Sequence, residues 1–186
     1  MVSTSSRISL ARMGIFLLAG LALLAPSPAR AGTPEPISGQ DVNGQAVAVN
    51  GKGHFTVVMY TNPDLEDESR QITLALDPYR GRSNFSFVRV VDLRGDVPAS
   101  MRSMVRGQIR KEQVKEADRL KKAGVSYVSD LSPIIPDFSG STLDALGWED
   151  TYENIHLVVY DTHGREIKRL ESVDPKQATK VVDSIL

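Results

Sequence analysis

Asp64 and Asp67 stand three positions apart in the stretch HFTVVMYTNPDLEDESRQ, where an apolar run from His54 passes Asn62-Pro63 and turns acidic. Asn is a good helix N-cap and Pro is tolerated at the first helical position, so a helix is expected to begin at this corner. A helix N-terminus presents unpaired N–H groups and a positive dipole end, and that field lowers the pKa of a nearby thiol enough to make it a nucleophile. A cysteine here would be reactive, yet the 186-residue chain has no cysteine. Asp64, Glu66 and Asp67 occupy the field instead, each stabilised by ~0.3–1 kcal/mol at an exposed position. The plain role of these carboxylates is to support the start of the helix. Their functional role would be an acidic surface for a cation or a basic partner. A calcium loop needs oxygen ligands at alternate positions around a glycine turn, and this spacing is not one.

Other chemistry-bearing residues are scattered. His54, His156 and His163 are the only histidines, and a zinc or copper site would need them to converge with carboxylates, since no thiolate is available. No G-x-S-x-G elbow occurs, and FSGST at Phe138 to Thr142 reads as a turn and a cap. A Ser-His-Asp triad is assembled only in space and stays open. Gly51-Lys52-Gly53 lacks the flanking pattern of a phosphate loop. Arg102, Arg106 and Arg110 are spaced by four, which lines them on one helical stripe facing an acidic partner, lipid headgroups or simply water. No catalytic, cofactor-binding or metal-binding residue is assigned on these patterns, and no cofactor is expected.

The N-terminus carries an address. Arg7 and Arg12 precede an apolar run from Ile15 to Ala25, followed by Pro26-Ser27-Pro28 and Ala29-Arg30-Ala31. This is the order of a secretory signal with cleavage after Ala31. The run falls short of the ~20 apolar residues that cross a bilayer, and no cysteine is present to carry a lipid, so no stable membrane anchor is expected after cleavage. Removing Arg7, Arg12 and Arg30 takes 22 basic residues to 19 against an unchanged 23 acidic ones, a net charge of −4. A mildly acidic domain without a clustered basic face gives no reason to expect nucleic acid. The expected partner is an unknown protein of the cell envelope. The remaining residues suit one domain able to bury a core without disulfides.

The elements that must position the corner follow from periodicity. Residues 32–53 read as an extended segment, Gly32 to Gln40, followed by a short hairpin at Asp41 to Asn50 around Asn43-Gly44. His54 to Thr61 is apolar enough for a central strand covered on both faces. The helix after Asn62 is expected to turn Ile72, Leu74, Ala75 and Leu76 inward. Asn84 to Leu93 is a second strand. Val97 to Ala123 is a long charged helix, with Met101, Val105, Ile109, Ala117 and Leu120 at roughly helical spacing, Gly124 as its stop and Gly107 marking a bend or a close contact. Ile134-Ile135 reads as a short strand, Ser141 to Leu146 as a small helix capped by Ser141. Ile155 to Tyr160 and Glu166 to Leu170 form an antiparallel hairpin across Asp161 to Gly164. Asp174-Pro175 opens a last helix with Ala178, Val181, Val182 and Ile185 facing in. The sum is an α/β domain with a mixed sheet flanked by helices and a long charged helix ahead of the C-terminal hairpin.

Over most of residues 54–186 this arrangement resembles the thioredoxin-like superfamily, in its redoxin and peroxiredoxin-like branch. FTVVMYTNPDLEDE matches the first core strand and active-site helix, LSPIIPDFSGSTLDALGW the stretch before the hairpin, and IHLVVYDTHGREIKRL the hairpin. In that family the helix start carries one or two reactive cysteines, and a cis-proline precedes the third core strand. The resemblance implies that the corresponding positions lie within Asn62 to Asp67 and around Asn154, with Asp64 and Asp67 at the separation of two cysteines. No proline precedes Ile155. Asn62, Pro63, Asp64, Asp67 and Asn154 are therefore the candidate residues of a vestigial groove. The expected protein is exported, without thiol redox activity, and serves as a binding or accessory module of the envelope. Its rival is a metal-binding protein or a carboxylate- and histidine-based enzyme that reuses the groove.

Overall fold

Seven residues of almost unbroken apolar or β-branched character, Phe55–Thr61, form the strand around which the domain is built. The computed structural model describes residues 35–95, 97–126, 131–148 and 153–186. The leader Met1 to Ala31 and the cleavage point lie outside the described residues. Two strands, β1 (Ser38–Gln40) and β2 (Ala46–Ala48), pair antiparallel. They are followed by β3 (Phe55–Thr61), α1 (Glu66–Leu76), β4 (Phe85–Asp92), α2 (Arg102–Lys122), β5 (Ile134–Asp137), α3 (Ser141–Ala145), β6 (His156–Tyr160), β7 (Glu166–Leu170) and α4 (Pro175–Asp183). The main sheet has the order β5-β4-β3-β6-β7. β3, β4 and β5 run parallel, and β6 and β7 run antiparallel to their neighbours.

Successive side chains of β3 leave opposite faces of the sheet, as a pleated strand requires. Val57 and Met59 join Ile72 and Leu76 of α1 and Ala178 and Val182 of α4 in one core layer. Val58 and Tyr60 join Leu143 of α3, Trp148 and Val49 in the other, with Val47 of the N-terminal hairpin packed against it. β1 lies so close to β5 that a Cβ on Gly39 would come within 2.7 Å of the Ile135 side chain. α4 opens with a reciprocal cap between Asp174 and Gln177, with Pro175 in its first turn.

Several sequence expectations need correction. The hairpin begins at Ser38, inside the segment read as an extended leader, because β1 borrows β5 as packing support. Leu74 is 45 % exposed, and Thr73 is buried in its place, its hydroxyl bonded back to the Ser69 carbonyl. The short strand extends past Ile135 through Pro136, which the sheet edge tolerates. Ser141 does not cap α3. The buried Asp137 carboxylate does so from the end of β5, accepting from the backbone N–H of Gly140, Thr142 and Leu143.

The largest correction concerns α2. Among its 21 residues only Leu120 is buried, while Met101, just ahead of it, and Met104 and Val114 within it are exposed. The expected apolar stripe does not dock it, and charged side chains do. Arg106 donates to the Asp41 carbonyl at 3.0 Å and Arg110 to the Val42 carbonyl at 2.9 Å. Arg102 and Arg106 also lie over the Phe138 ring. Each arginine of the stripe thus has an intramolecular contact, while Arg102 and Arg110 stay exposed. A Cβ at Gly107 would meet nothing within 4 Å, so close packing is not that glycine's role.

Further along α2, Glu116 accepts from Arg80 at 2.7 Å and from Arg89, and Arg119 pairs with Asp77. Burial pushes the Glu116 carboxyl up, but the Arg89 and Arg80 charges outweigh it and hold the group below its ordinary value. Arg80 is completely buried at its side chain. Removing one partner of such a pair leaves a buried charge uncompensated, which costs ~3–5 kcal/mol. Arg80 retains Asp77 at 3.6 Å, so Glu116→Ala should destabilise the protein by about 3 kcal/mol, at the low end of that range. A denaturant midpoint left where the wild type has it would show that α2 is not held by this network.

Candidate functional site

The corner at the C-terminal end of β3 is set by Asn62. This residue is buried and extended, and its side-chain oxygen accepts from the Leu65 N–H at 3.1 Å, capping a single 3-10 turn at Pro63–Leu65 that leads into α1. Its amide nitrogen donates to the Tyr60 hydroxyl at 3.3 Å. The cap expected from the sequence is therefore in place, and the same side chain ties the helix start back to the strand. Pro63, Asp64, Glu66, Asp67 and Glu68 are all exposed around this turn, so the carboxylates present an open acidic rim. Glu66 lies 3.9 Å from Arg70 across one helical turn, a solvated pair worth little.

Asn154 sits just before β6. Residue pairing between Tyr60 and His156 brings the start of β6 to the end of β3, so Asn154 shares that end of the sheet with Asn62. Its side chain is exposed and accepts from the Ser172 hydroxyl at 3.4 Å. Asn62, Pro63, Asp64 and Asp67 thus form one contiguous corner, and Asn154 flanks it from the neighbouring strand.

The histidines do not share a location. His54 precedes β3 and its Nδ1 lies 2.7 Å from the Ser83 carbonyl oxygen. His163 is exposed in the β6–β7 turn, which is organised by Asp161. Burial alone would raise the Asp161 carboxyl, but hydrogen bonds from Arg165 and the His163 N–H bring it down to about 2. His156 is at the other end of the sheet. Among the described residues no group of three or more histidine or carboxylate side chains is placed to hold a metal.

Sequence reasoning missed what lies under the corner. Tyr60, Trp148 and His156 form a buried ring cluster, with centroids 5.8–6.1 Å apart and edge-on or tilted contacts. Arg169 of β7 covers the Trp148 ring at 5.5 Å, donates to the Leu146 carbonyl and pairs with Glu166. Tyr160, packed into the same core layer, has its phenol pushed up to about 12 by burial, with Glu166 adding to the effect. The available signal was a histidine within an otherwise apolar strand, a position as open to ring packing as to metal ligation. A separate groove of about 460 Å³ runs between α1 and α2, lined by Ser69, Thr73, Leu74, Arg89, Gln113 and Glu116 among others.

A parallel β3-β4-β5 sheet extended by an antiparallel β6-β7 hairpin, with α1 and α4 on one face and a helix start at the end of β3, is the thioredoxin-like fold. Solved structures agree. The exposed lipoprotein thioredoxin Etrx1 of Streptococcus pneumoniae superposes with a TM-score of 0.53 at 13 % identity, covering 81 % of this chain and 99 % of that one. A DsbF homologue from Corynebacterium diphtheriae gives 0.51 at 19 % identity, covering 85 % and 96 %. The thioredoxin domain of a thiol-disulfide oxidoreductase from Bacteroides vulgatus gives 0.50 at 15 % identity, covering 85 % and 98 %. At these identities the likeness is one of fold. No protein-family model matches the chain, and no curated protein sequence matches it significantly. On this fold the chain carries no cysteine at all.

Because Asn62 holds both the Leu65 N–H and the Tyr60 hydroxyl, Asn62→Ala should cost about 1 kcal/mol, the usual loss for an N-cap truncated to alanine. Hydrogen exchange at Leu65 and in the first turn of α1 should accelerate with it. Unchanged exchange there would mean that the cap does not hold the corner.

Proposed function

We propose that this chain is an exported thioredoxin-fold protein that works by binding, without thiol redox chemistry, as an accessory module of the cell envelope. The observation that carries the proposal is the absence of cysteine from all 186 residues. Disulfide exchange proceeds by thiolate attack on sulfur through a mixed disulfide, and thiol peroxidase chemistry passes through a sulfenic acid. No side chain at Asn62, Pro63, Asp64 or Asp67 can enter either cycle. The exposed carboxylates of the corner instead suit a partner that presents basic groups, and the Asn62 cap holds the backbone turn that carries Asp64. Export is supported by the leader pattern at Met1 to Ala31 and by the existence of an exposed lipoprotein thioredoxin with the same fold in Streptococcus pneumoniae.

Two measurements test the two halves of this reading. Purified, metal-free protein should neither reduce a model protein disulfide above the rate of dithiothreitol alone nor consume peroxide coupled to a thiol donor. A rate that scales with protein concentration and survives repurification would overturn the non-redox half. Intact-mass measurement of the exported protein should place its N-terminus at Gly32, because Ala29 and Ala31 supply the small residues that the peptidase reads. A mass that retains Met1 would remove the export half and leave the other standing.

A further inference from the structure

The indole Nε1 of Trp148 and the Nδ1 of His156 are buried, and neither has a hydrogen-bond partner among the described residues. His156 is 8 % exposed and packs edge-on against Tyr60 at 5.8 Å and tilted against Trp148 at 6.0 Å. A neutral imidazole keeps one acceptor nitrogen and can leave Nδ1 bare at modest cost. An imidazolium makes both ring nitrogens donors, and its Nδ1–H would then be a charged donor facing no acceptor.

Among the described residues, the charges around the ring do not provide that acceptor. β3 contributes the Tyr60 phenol, whose hydroxyl accepts from Asn62. β7 contributes Arg169, stacked over Trp148 and paired with Glu166. The turn after β7 contributes Glu171, which favours the charged ring from an exposed position. Burial, aided by Arg169, outweighs Glu171 and holds the imidazole below its ordinary value.

We propose that His156 is a proton-operated latch: taking up a proton drives its ring out of the cluster with Tyr60 and Trp148 and releases the Asn62 corner. The path from ring to corner is short. Tyr60 packs on His156 and holds the Asn62 amide, and Asn62 in turn caps the Leu65 N–H. Loss of the ring contact removes one of the contacts that position Tyr60, and the cap shifts with it. The sign follows from linkage. The closed ring binds a proton less readily than an imidazole in water, whose ordinary value is about 6.5. The closed corner therefore keeps its full advantage above about pH 6.5 and loses it as the pH falls below that value.

Trp148 is the only tryptophan in the chain, so its emission reports on this cluster alone. On acidification of the full chain, the emission should shift to the red with one midpoint below about pH 6.5, and the Leu65 amide resonance should move with the same midpoint. His156→Phe fills the same place with a ring that does not titrate and should hold the emission constant over the range. A wild-type emission that does not respond to pH, or a response that persists unchanged in His156→Phe, would overturn the latch. Should that variant fail to fold, the wild-type protein decides the matter by imidazole NMR, since only three histidines need assigning. The His156 ring must then titrate at the midpoint of the Trp148 shift, and a different midpoint overturns the proposal.

Discussion

Burial of β3 on both faces is the constraint from which the remaining architecture follows. Each face of this strand must be covered by apolar side chains, because Val57, Val58, Met59 and Tyr60 are all removed from water and burying such a side chain contributes about 1.5–3 kcal/mol. Its backbone groups must also be paired on both edges, since an unpaired buried N–H or C=O is costly. β4 meets one edge in parallel and β6 the other in antiparallel register, with Val57 facing Phe87 and Val159 across the ladders. A parallel neighbour requires a crossover connection, which α1 supplies on the face of Val57 and Met59. The other face is closed by α3, Trp148 and the N-terminal hairpin. The hairpin is thereby part of the domain's core and not a loose preface to it.

α2 obeys a different rule. A helix with one buried apolar residue has little hydrophobic reason to stay against a sheet, so its position is set by long polar and charged side chains that reach defined partners. Arg106 and Arg110 donate to the hairpin turn at Asp41 and Val42, Gln113 to the Ser132 carbonyl ahead of β5 and Arg119 to the Asp77 carboxylate just after α1, while the Glu116 carboxylate accepts from Arg89 of β4 and from Arg80. Such docking fixes orientation closely and contributes less per contact than packing does. It also leaves the polar groove between α1 and α2 open, because no apolar stripe pulls the two helices together.

At the end of β3 the thioredoxin-like geometry persists without its reagent. A helix start that would activate a thiol is instead held by an asparagine cap and surrounded by exposed carboxylates, which gain from the same dipole but cannot exchange sulfur. Beneath it the ring cluster couples a titratable imidazole to the cap through a single tyrosine. Surface chemistry and buried support at this corner are thus linked through Asn62, which touches both.

Where local periodicity and local chemistry agree, sequence alone was enough. Phe55–Thr61 could be recognised as a central strand from its unbroken apolar run, Asn62-Pro63 as a helix start from capping stereochemistry, and His156–Tyr60 pairing aside, the C-terminal hairpin from its turn residues. That no thiol is present needed no structure, since composition decides it. Tertiary structure alone decided which partners distant side chains would find. Asp137 replaced Ser141 as the cap of α3 because the sheet delivers its carboxylate to three free N–H groups at once. Arg106 and Arg110 of the α2 stripe bond back to the domain because carbonyls of the hairpin turn lie within reach, a fact of packing that four-residue spacing does not encode. His156, Tyr60 and Trp148 come together only across strand pairing and a loop, at separations in sequence over which periodicity carries no information.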